Sequence, residues 1–96
     1  MQDDEFEWDD AKAAANLTDH KVSFPDARRA FDDMFAMERD DRRHDYGEDR
    51  ATIVGMVDGS LVLVAFTVRD SRVRIISARK AEPFERRLYH ERKTQV

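Results

Sequence analysis

Apolar positions along this chain fall into short blocks with two different periods. Phe6-Glu7-Trp8 alternates over three residues, the length of an edge strand or an extended lead-in. Asp9 then stands where a helix N-cap belongs, with Trp8 before it and Ala13 placed for a hydrophobic staple. Alanines at 11 and 13–15 favour a helix to about Asp19, with Ala13, Leu17 and His20 on one stripe. After Lys21-Val22, Ser23 is a second N-cap, with Pro25 in the first turn and Asp26 three residues on. Phe24, Ala27 and Phe31, with Ala30 beside them, give this helix a buried face, and it should end near Asp33. Two short helices joined so closely form an αα-hairpin.

The period then changes. Residues 34–37 alternate weakly, and residues 40–50 (DDRRHDYGEDR) read as a polar loop. Residues 52–57 and 61–69 are strand-like runs separated by Asp58-Gly59, a strong hairpin signal. Asp70-Ser71 is a second tight turn leading into residues 73–78. Consecutive strands on two- to three-residue turns form an antiparallel meander. Residues 61–66 are apolar at every position, which calls for a central strand covered on both faces. Pro83 opens a last helix, in which Phe84 and Leu88 are spaced to pack at i, i+4. The expected fold class is α+β: two N-terminal helices, an antiparallel sheet of three or four strands, and a C-terminal helix. Residues 1–96 should form one domain, frayed at 1–5 and 93–96.

Composition narrows the function classes. Charged residues make up 40% of the 96, and the longest apolar run is far short of a membrane helix of ~20 residues. With no cysteine there is no disulfide, thiolate nucleophile or Cys-based zinc site, which suits a reducing cytosol. The acidic N-terminus lacks the basic and apolar regions of a secretory signal. Net charge is −4, but it is segregated. Residues 1–48 hold 15 acids and 7 bases (−8), and residues 49–96 hold 6 acids and 10 bases (+4). The second half can therefore present a basic surface to a polyanion, or the charge is simply uneven along a short chain.

The stretch 72–89, RVRIISARKAEPFERRLY, concentrates the candidate chemistry. Strict alternation puts Val73, Ile75, Ser77 and Arg79 on one face of its strand, which ends in the adjacent cations Arg79 and Lys80. An arginine in register with an apolar face is placed to hold a phosphate or a carboxylate; the carboxylate would be an ion-pair partner such as Glu85 or Asp32.

Several blocks together resemble the BrnT toxins of bacterial type II toxin–antitoxin pairs. They are W-D-x-x-K-x-x-x-N-L at 8–17, the loop ending EDR at 48–50, LVLVAFTVR at 61–69, R-I-I-S-A-R at 74–79 and E-R-R-L-Y at 85–89. The resemblance runs from about Phe6 to about Glu91 and implies a RelE-like fold. It also implies a small cytoplasmic bacterial ribonuclease that arrests growth by cutting RNA. The implied partner is a BrnA-type antitoxin with a ribbon-helix-helix segment. The two would form a heterotetramer that reaches operator DNA only through the antitoxin, with no membrane, metal or other cofactor.

Metal-free RNA cleavage needs a base for the 2′-hydroxyl, an acid for the leaving 5′-oxygen and cations for the charge that builds on phosphorus. Arg79, which ends the R-I-I-S-A-R block, is the first candidate for phosphate contact. Arg50 and Arg69, in register with Thr52 and Thr67, together with Arg74, make a cationic strip if their faces meet, or else protect strand edges. Lys80 is a further substrate contact. His20 and Lys21 stand where the family often has a basic pair, and His20 can equally be a core residue ending its helix. Glu48 is the acidic candidate for the base, or a solvated loop carboxylate. Tyr89 can stack on a base or pack in the core. His44 with Asp40, Asp41 and Asp45 fits no standard metal-ligand spacing and reads as a solvated loop. The acids from Asp3 to Asp10 are a solvated tail or a polyanion mimic on the basic surface. A reading from another class is a non-catalytic module that binds a protein partner, which the acidic net charge and the lack of a paired histidine favour.

Overall fold

The computed structural model describes residues 1–41 and 47–95. The order of elements is β1 (Phe6–Glu7), α1 (Asp10–His20), α2 (Phe24–Arg29), a 3₁₀ turn (Ala30–Asp32), β2 (Met37–Asp41), β3 (Arg50–Val57), β4 (Ser60–Arg69), β5 (Arg72–Lys80) and α3 (Pro83–Thr94). The fold is α+β. The middle of the segment 40–50, including His44 and Asp45, lies outside the described residues, so the metal-loop reading does too.

Local signals set most boundaries. The Asp9 side chain accepts the Lys12 N–H and the Ser23 side chain accepts the Asp26 N–H, so both helices start at their N-caps. Both hairpin turns use two left-handed residues: Asp58 (φ 50°) with Gly59 (φ 80°), and Asp70 (φ 51°) with Ser71 (φ 66°). That geometry matches the right-handed twist of the strands it joins.

The sheet has five strands, in the order β1-β5-β4-β3-β2, rather than three or four. β2 to β5 form the expected antiparallel meander, while β1 pairs parallel with β5. The additional strands are the two edges. β1 is two residues long, and β2 reads MERDD, with one buried apolar residue. β4 lies in the middle and is covered on both faces. On one face Val62, Val64, Phe66, Ile53 and Ile75 pack against Phe24, Ala27 and Ala30 of the helical layer. On the other, Leu61, Val54 and Met37 pack against Ala81 and Tyr89 at α3. Among the described residues no helix is long and apolar enough to cross a membrane.

Three face assignments differ from strict periodicity. In α1, Leu17 is 50% exposed and His20 is exposed, while the buried residue is Asn16. A polar residue takes the inward position because its amide is fully used. Nδ2 donates to the carbonyls of Val22 and Ala78, each at 2.9 Å, and Oδ1 accepts the Ala78 N–H at 3.1 Å. In α3, Phe84 and Leu88 stay exposed and the inward residues are Glu85 and Tyr89. Glu85 is compensated by Arg79, and the Tyr89 hydroxyl donates to Asp33 at 2.6 Å. In β5, the register with β4 shifts: Phe66 pairs with Ile75 but Ala65 with Ser77, leaving Ile76 as an extra residue. That bulge flips the parity. Val73 and Ile75 face the helical core, whereas Ser77 and Arg79 face the opposite side of the sheet.

Candidate active site

The bulge at Ile76 creates the site by turning the end of β5 toward the open part of the second sheet face. Cross-strand register lines up two rows of side chains there. One runs Met37, Val54, Leu63, Arg79; the next runs Arg39, Thr52, Ala65, Ser77. The floor made by Val54, Leu63 and Ala65 is apolar and short. The start of α3 and the last residue of α1 flank it. They enclose a groove of about 650 Å³ whose polar rim includes His20, Arg39, Thr52, Ser77 and Arg79.

Asn16 sets the spacing across this groove. Four residues before α1 ends at His20, Asn16 makes two hydrogen bonds to the backbone of Ala78, one residue before Arg79, and a third to the Val22 carbonyl. The asparagine of the W-D-x-x-K-x-x-x-N-L block thus grips the alanine of the R-I-I-S-A-R block. His20 and Arg79 are thereby held as two walls of one groove.

Arg79 is both paired and available. Its Nη1 donates to Glu85 Oε1 at 2.8 Å and to the Lys80 carbonyl at 3.1 Å, and its Nη2 donates to Glu85 Oε2 at 3.0 Å. Glu85 is buried and is itself fixed by the Glu82 N–H at 2.8 Å. Burial works to raise the Glu85 pKa, but the hydrogen bonds from Arg79 and the Glu82 N–H outweigh it and hold the carboxyl below its usual range. Glu85 in turn, through hydrogen bonding, pushes the Arg79 pKa up. Among the described residues, Nε–H and the second Nη2 hydrogen of Arg79 have no hydrogen-bond partner; the Glu82 carboxylate is 3.8 Å from Nη2. Those two hydrogens form the side edge of the guanidinium, a fork that fits two oxygens of a phosphate.

The other expected site residues divide between places. Arg50, Arg69 and Arg74 do lie on the same sheet face as Arg79, by strand parity, but each meets a carboxylate. Arg69 donates to Glu48 Oε2 at 2.8 Å, Arg50 to Glu48 Oε1 at 3.4 Å, and Arg74 to Glu7 at 3.0 Å, which ties β1 to β5. Glu48, Arg50 and Arg69 line a separate depression of about 390 Å³. The Arg69 hydrogen bond, with Arg50 assisting, lowers the Glu48 pKa and makes it a weaker base. Lys21 is exposed and left-handed (φ 61°), and its Nζ donates to the Thr18 carbonyl at 2.9 Å, outside the groove. Lys80 is exposed at the end of β5. Tyr89 is 1% exposed, so its ring has no free face for a base. Asp3 accepts the N–H groups of Glu5 and Phe6 and pairs with Arg28, which draws Asp3 onto α2. Arg39, Thr52 and Phe84 are groove residues that sequence reasoning did not single out as candidates. Arg39 and Thr52 become visible only through the β2–β3 register.

A family model, described as "Ribonuclease toxin, BrnT, of type II toxin-antitoxin system", matches residues 8–85. The chain belongs to the BrnT family. No curated protein matches it. The matched span runs from Trp8 to Glu85, so it contains the Asn16–Ala78 clasp, the Ile76 bulge, the rim residues of the groove and the Arg79–Glu85 pair. As a BrnT, the protein is a toxin of a type II toxin–antitoxin system, from a family of ribonucleases whose substrate is RNA and whose counterpart is an antitoxin.

Proposed function

We propose that this BrnT chain is a metal-independent endoribonuclease that cleaves single-stranded RNA in the groove between α1 and α3 and so arrests growth. The carrying observation is that His20, Arg39 and Arg79 line one groove inside the family-matched span. The 2′-oxygen attacks the adjacent phosphorus and the 5′-oxygen leaves, giving a 2′,3′-cyclic phosphate and a 5′-hydroxyl. Arg79, through its side edge, and Arg39 stabilise the charge on the phosphoryl oxygens. His20, an imidazole that can give or take a proton, serves at the groove rim as the proton-exchanging group. It is the better base than Glu48, whose oxygens are occupied by two arginines. Arg50, Arg69 and Arg74, on the same sheet face as Arg79, extend the cationic path for the phosphates, and Lys80 and Lys21 act at its periphery.

The partner in this reading is a BrnA-type ribbon-helix-helix antitoxin in a cytoplasmic heterotetramer that reaches operator DNA through the antitoxin. A second reading, a non-catalytic module that serves only to bind the antitoxin, is favoured by one observation: Arg50, Arg69, Arg74 and Arg79 are each already matched by a carboxylate. RNA incubated with partner-free protein in excess EDTA separates the two. Cleavage to cyclic-phosphate ends by wild type, lost in Arg79→Ala, is expected. A folded protein that leaves RNA intact, with or without added Mg²⁺ or ribosomes, establishes the binding module instead.

A further inference from the structure

Phe84 is out of place as a packing residue. The inward positions of α3 are Glu85 and Tyr89, so the phenyl ring one residue before Glu85 is left 45% exposed. Every other phenylalanine, tyrosine and tryptophan among the described residues is buried or half-buried. The ring lines the groove beside Arg79 and Ser77, over a floor of Val54, Leu63 and Ala65 that has no long side chain to fill it. At about 650 Å³ the groove is within the ~300–1,000 Å³ range of small-molecule sites, large enough for a nucleotide.

Resting on the ribonuclease reading above, we propose that Phe84 is a base-stacking platform: a nucleobase next to the scissile phosphate stacks on its ring while the side edge of Arg79 takes the phosphate. The pairing of an exposed aromatic face with a cationic fork is what single-stranded nucleic acid requires, because every base has a π-face and every linkage a charge. It also selects against duplex RNA, whose bases are already stacked on each other. Stacking of this kind tolerates different bases, so Phe84 sets strandedness rather than a sequence motif.

The test compares Phe84→Ala, Phe84→Leu and Phe84→Trp for binding to an all-deoxy oligonucleotide, which cannot be cleaved, and for cleavage of the matching RNA. Phe84→Ala should raise Kd and KM by roughly 5- to 150-fold. Phe84→Leu, which keeps apolar area without a π-face, should remain weak, and Phe84→Trp should bind at least as tightly as wild type. Binding of single strands by Phe84→Ala or Phe84→Leu at wild-type affinity overturns the proposal. If Phe84→Ala instead loses only antitoxin binding, the ring belongs to the partner surface and the proposal also falls. Arg79→Ala separates the two levels. If Arg79→Ala abolishes cleavage while Phe84→Ala binds normally, the platform alone is wrong; if neither variant affects cleavage, the site itself lies elsewhere.

Discussion

Replacing Asn16 by aspartate changes one atom type at a buried polar group that makes three hydrogen bonds. Asn16 is 7% exposed, and its Nδ2 donates to two carbonyls, Val22 O and Ala78 O, both at 2.9 Å. Asn16→Asp removes both donors and turns a carboxylate oxygen toward two carbonyl oxygens, while the Ala78 N–H keeps its acceptor. Each buried group left unpaired costs about 1–3 kcal/mol, and the buried charge adds to this. The expected loss at neutral pH is about 3–5 kcal/mol, out of roughly 5–14 kcal/mol for a chain of this length. Urea unfolding followed by the fluorescence of Trp8, the single tryptophan and a buried one, measures it. At an m-value of roughly 1–2 kcal/mol/M the midpoint should fall by about 1.5–5 M. The loss should also depend on pH in a definite direction. Desolvation raises the folded-state pKa of the introduced carboxyl above its unfolded value of about 3.9. Below that value both states are protonated and the charge penalty is absent. As pH rises the unfolded state ionises first, so the variant loses stability relative to wild type until the folded-state pKa is passed. Asn16→Leu, which leaves three backbone groups unpaired without adding a charge, should show no such trend. A neutral-pH cost below about 1 kcal/mol would refute the reasoning, as would identical pH trends in the two variants.

Three further outcomes are expected. In Gly55→Ala the new Cβ would stand 2.4 Å from the Ala30 carbonyl oxygen and 3.0 Å from its carbon, both backbone atoms of the 3₁₀ turn. Overpacking of this kind costs about 1–3 kcal/mol, so thermal unfolding should begin ~4–8 °C lower for each kcal/mol, and an unchanged midpoint contradicts the close approach. Burial, with the hydrogen bond to Asp33, pushes the Tyr89 phenol up to about 12. The phenolate absorbance of wild type minus Tyr89→Phe should therefore appear only near that pH, and a difference titrating near 10 would place the ring in water. Glu85 has a depressed pKa, so its stabilising effect is present above the usual 4.5 and is lost as pH falls through the lower folded-state value. Glu85→Gln should flatten that acid limb of the stability profile and also slow RNA cleavage by releasing Arg79; an acid limb identical to wild type would sink the assignment.

How far pattern reading reaches is set by how local each signal is. Asp9 and Ser23 cap their helices through atoms three residues away, and Asp58-Gly59 turns a hairpin through its own dihedrals, so these features are legible in isolation. β2 is not, because MERDD becomes a strand only by pairing Arg39 with Thr52 and Met37 with Val54. The inward face of α3 fails for a related reason. Periodicity sends charge to solvent, and the inward turn of Glu85 is signalled only from another element, by the ion pair with Arg79 that the sequence offered as one alternative. The same long-range pairing moves Phe84 out of the core and into the groove, so the misread face and the missed candidate are a single error.

The parity of β5 carries the larger lesson about the site. Counting by twos from Val73 puts Arg79 on the face of Ile75, where it would enter the layer of Phe24 and Ala27. The core, however, takes both Ile75 and Ala78, three residues apart, and an unbroken strand cannot point two such residues the same way. An extra residue between them is therefore required by the packing itself, and Ile76 supplies it. Once it is in place, Ser77 and Arg79 must point into the groove, and the Ala78 backbone must turn its N–H and carbonyl to Asn16. The R-I-I-S-A-R block thus holds two apolar residues at odd spacing for the core and two polar residues at even spacing for the groove. The odd spacing was the legible sign of the bulge, and reading it needs only the assumption that Ile75 and Ala78 are both buried.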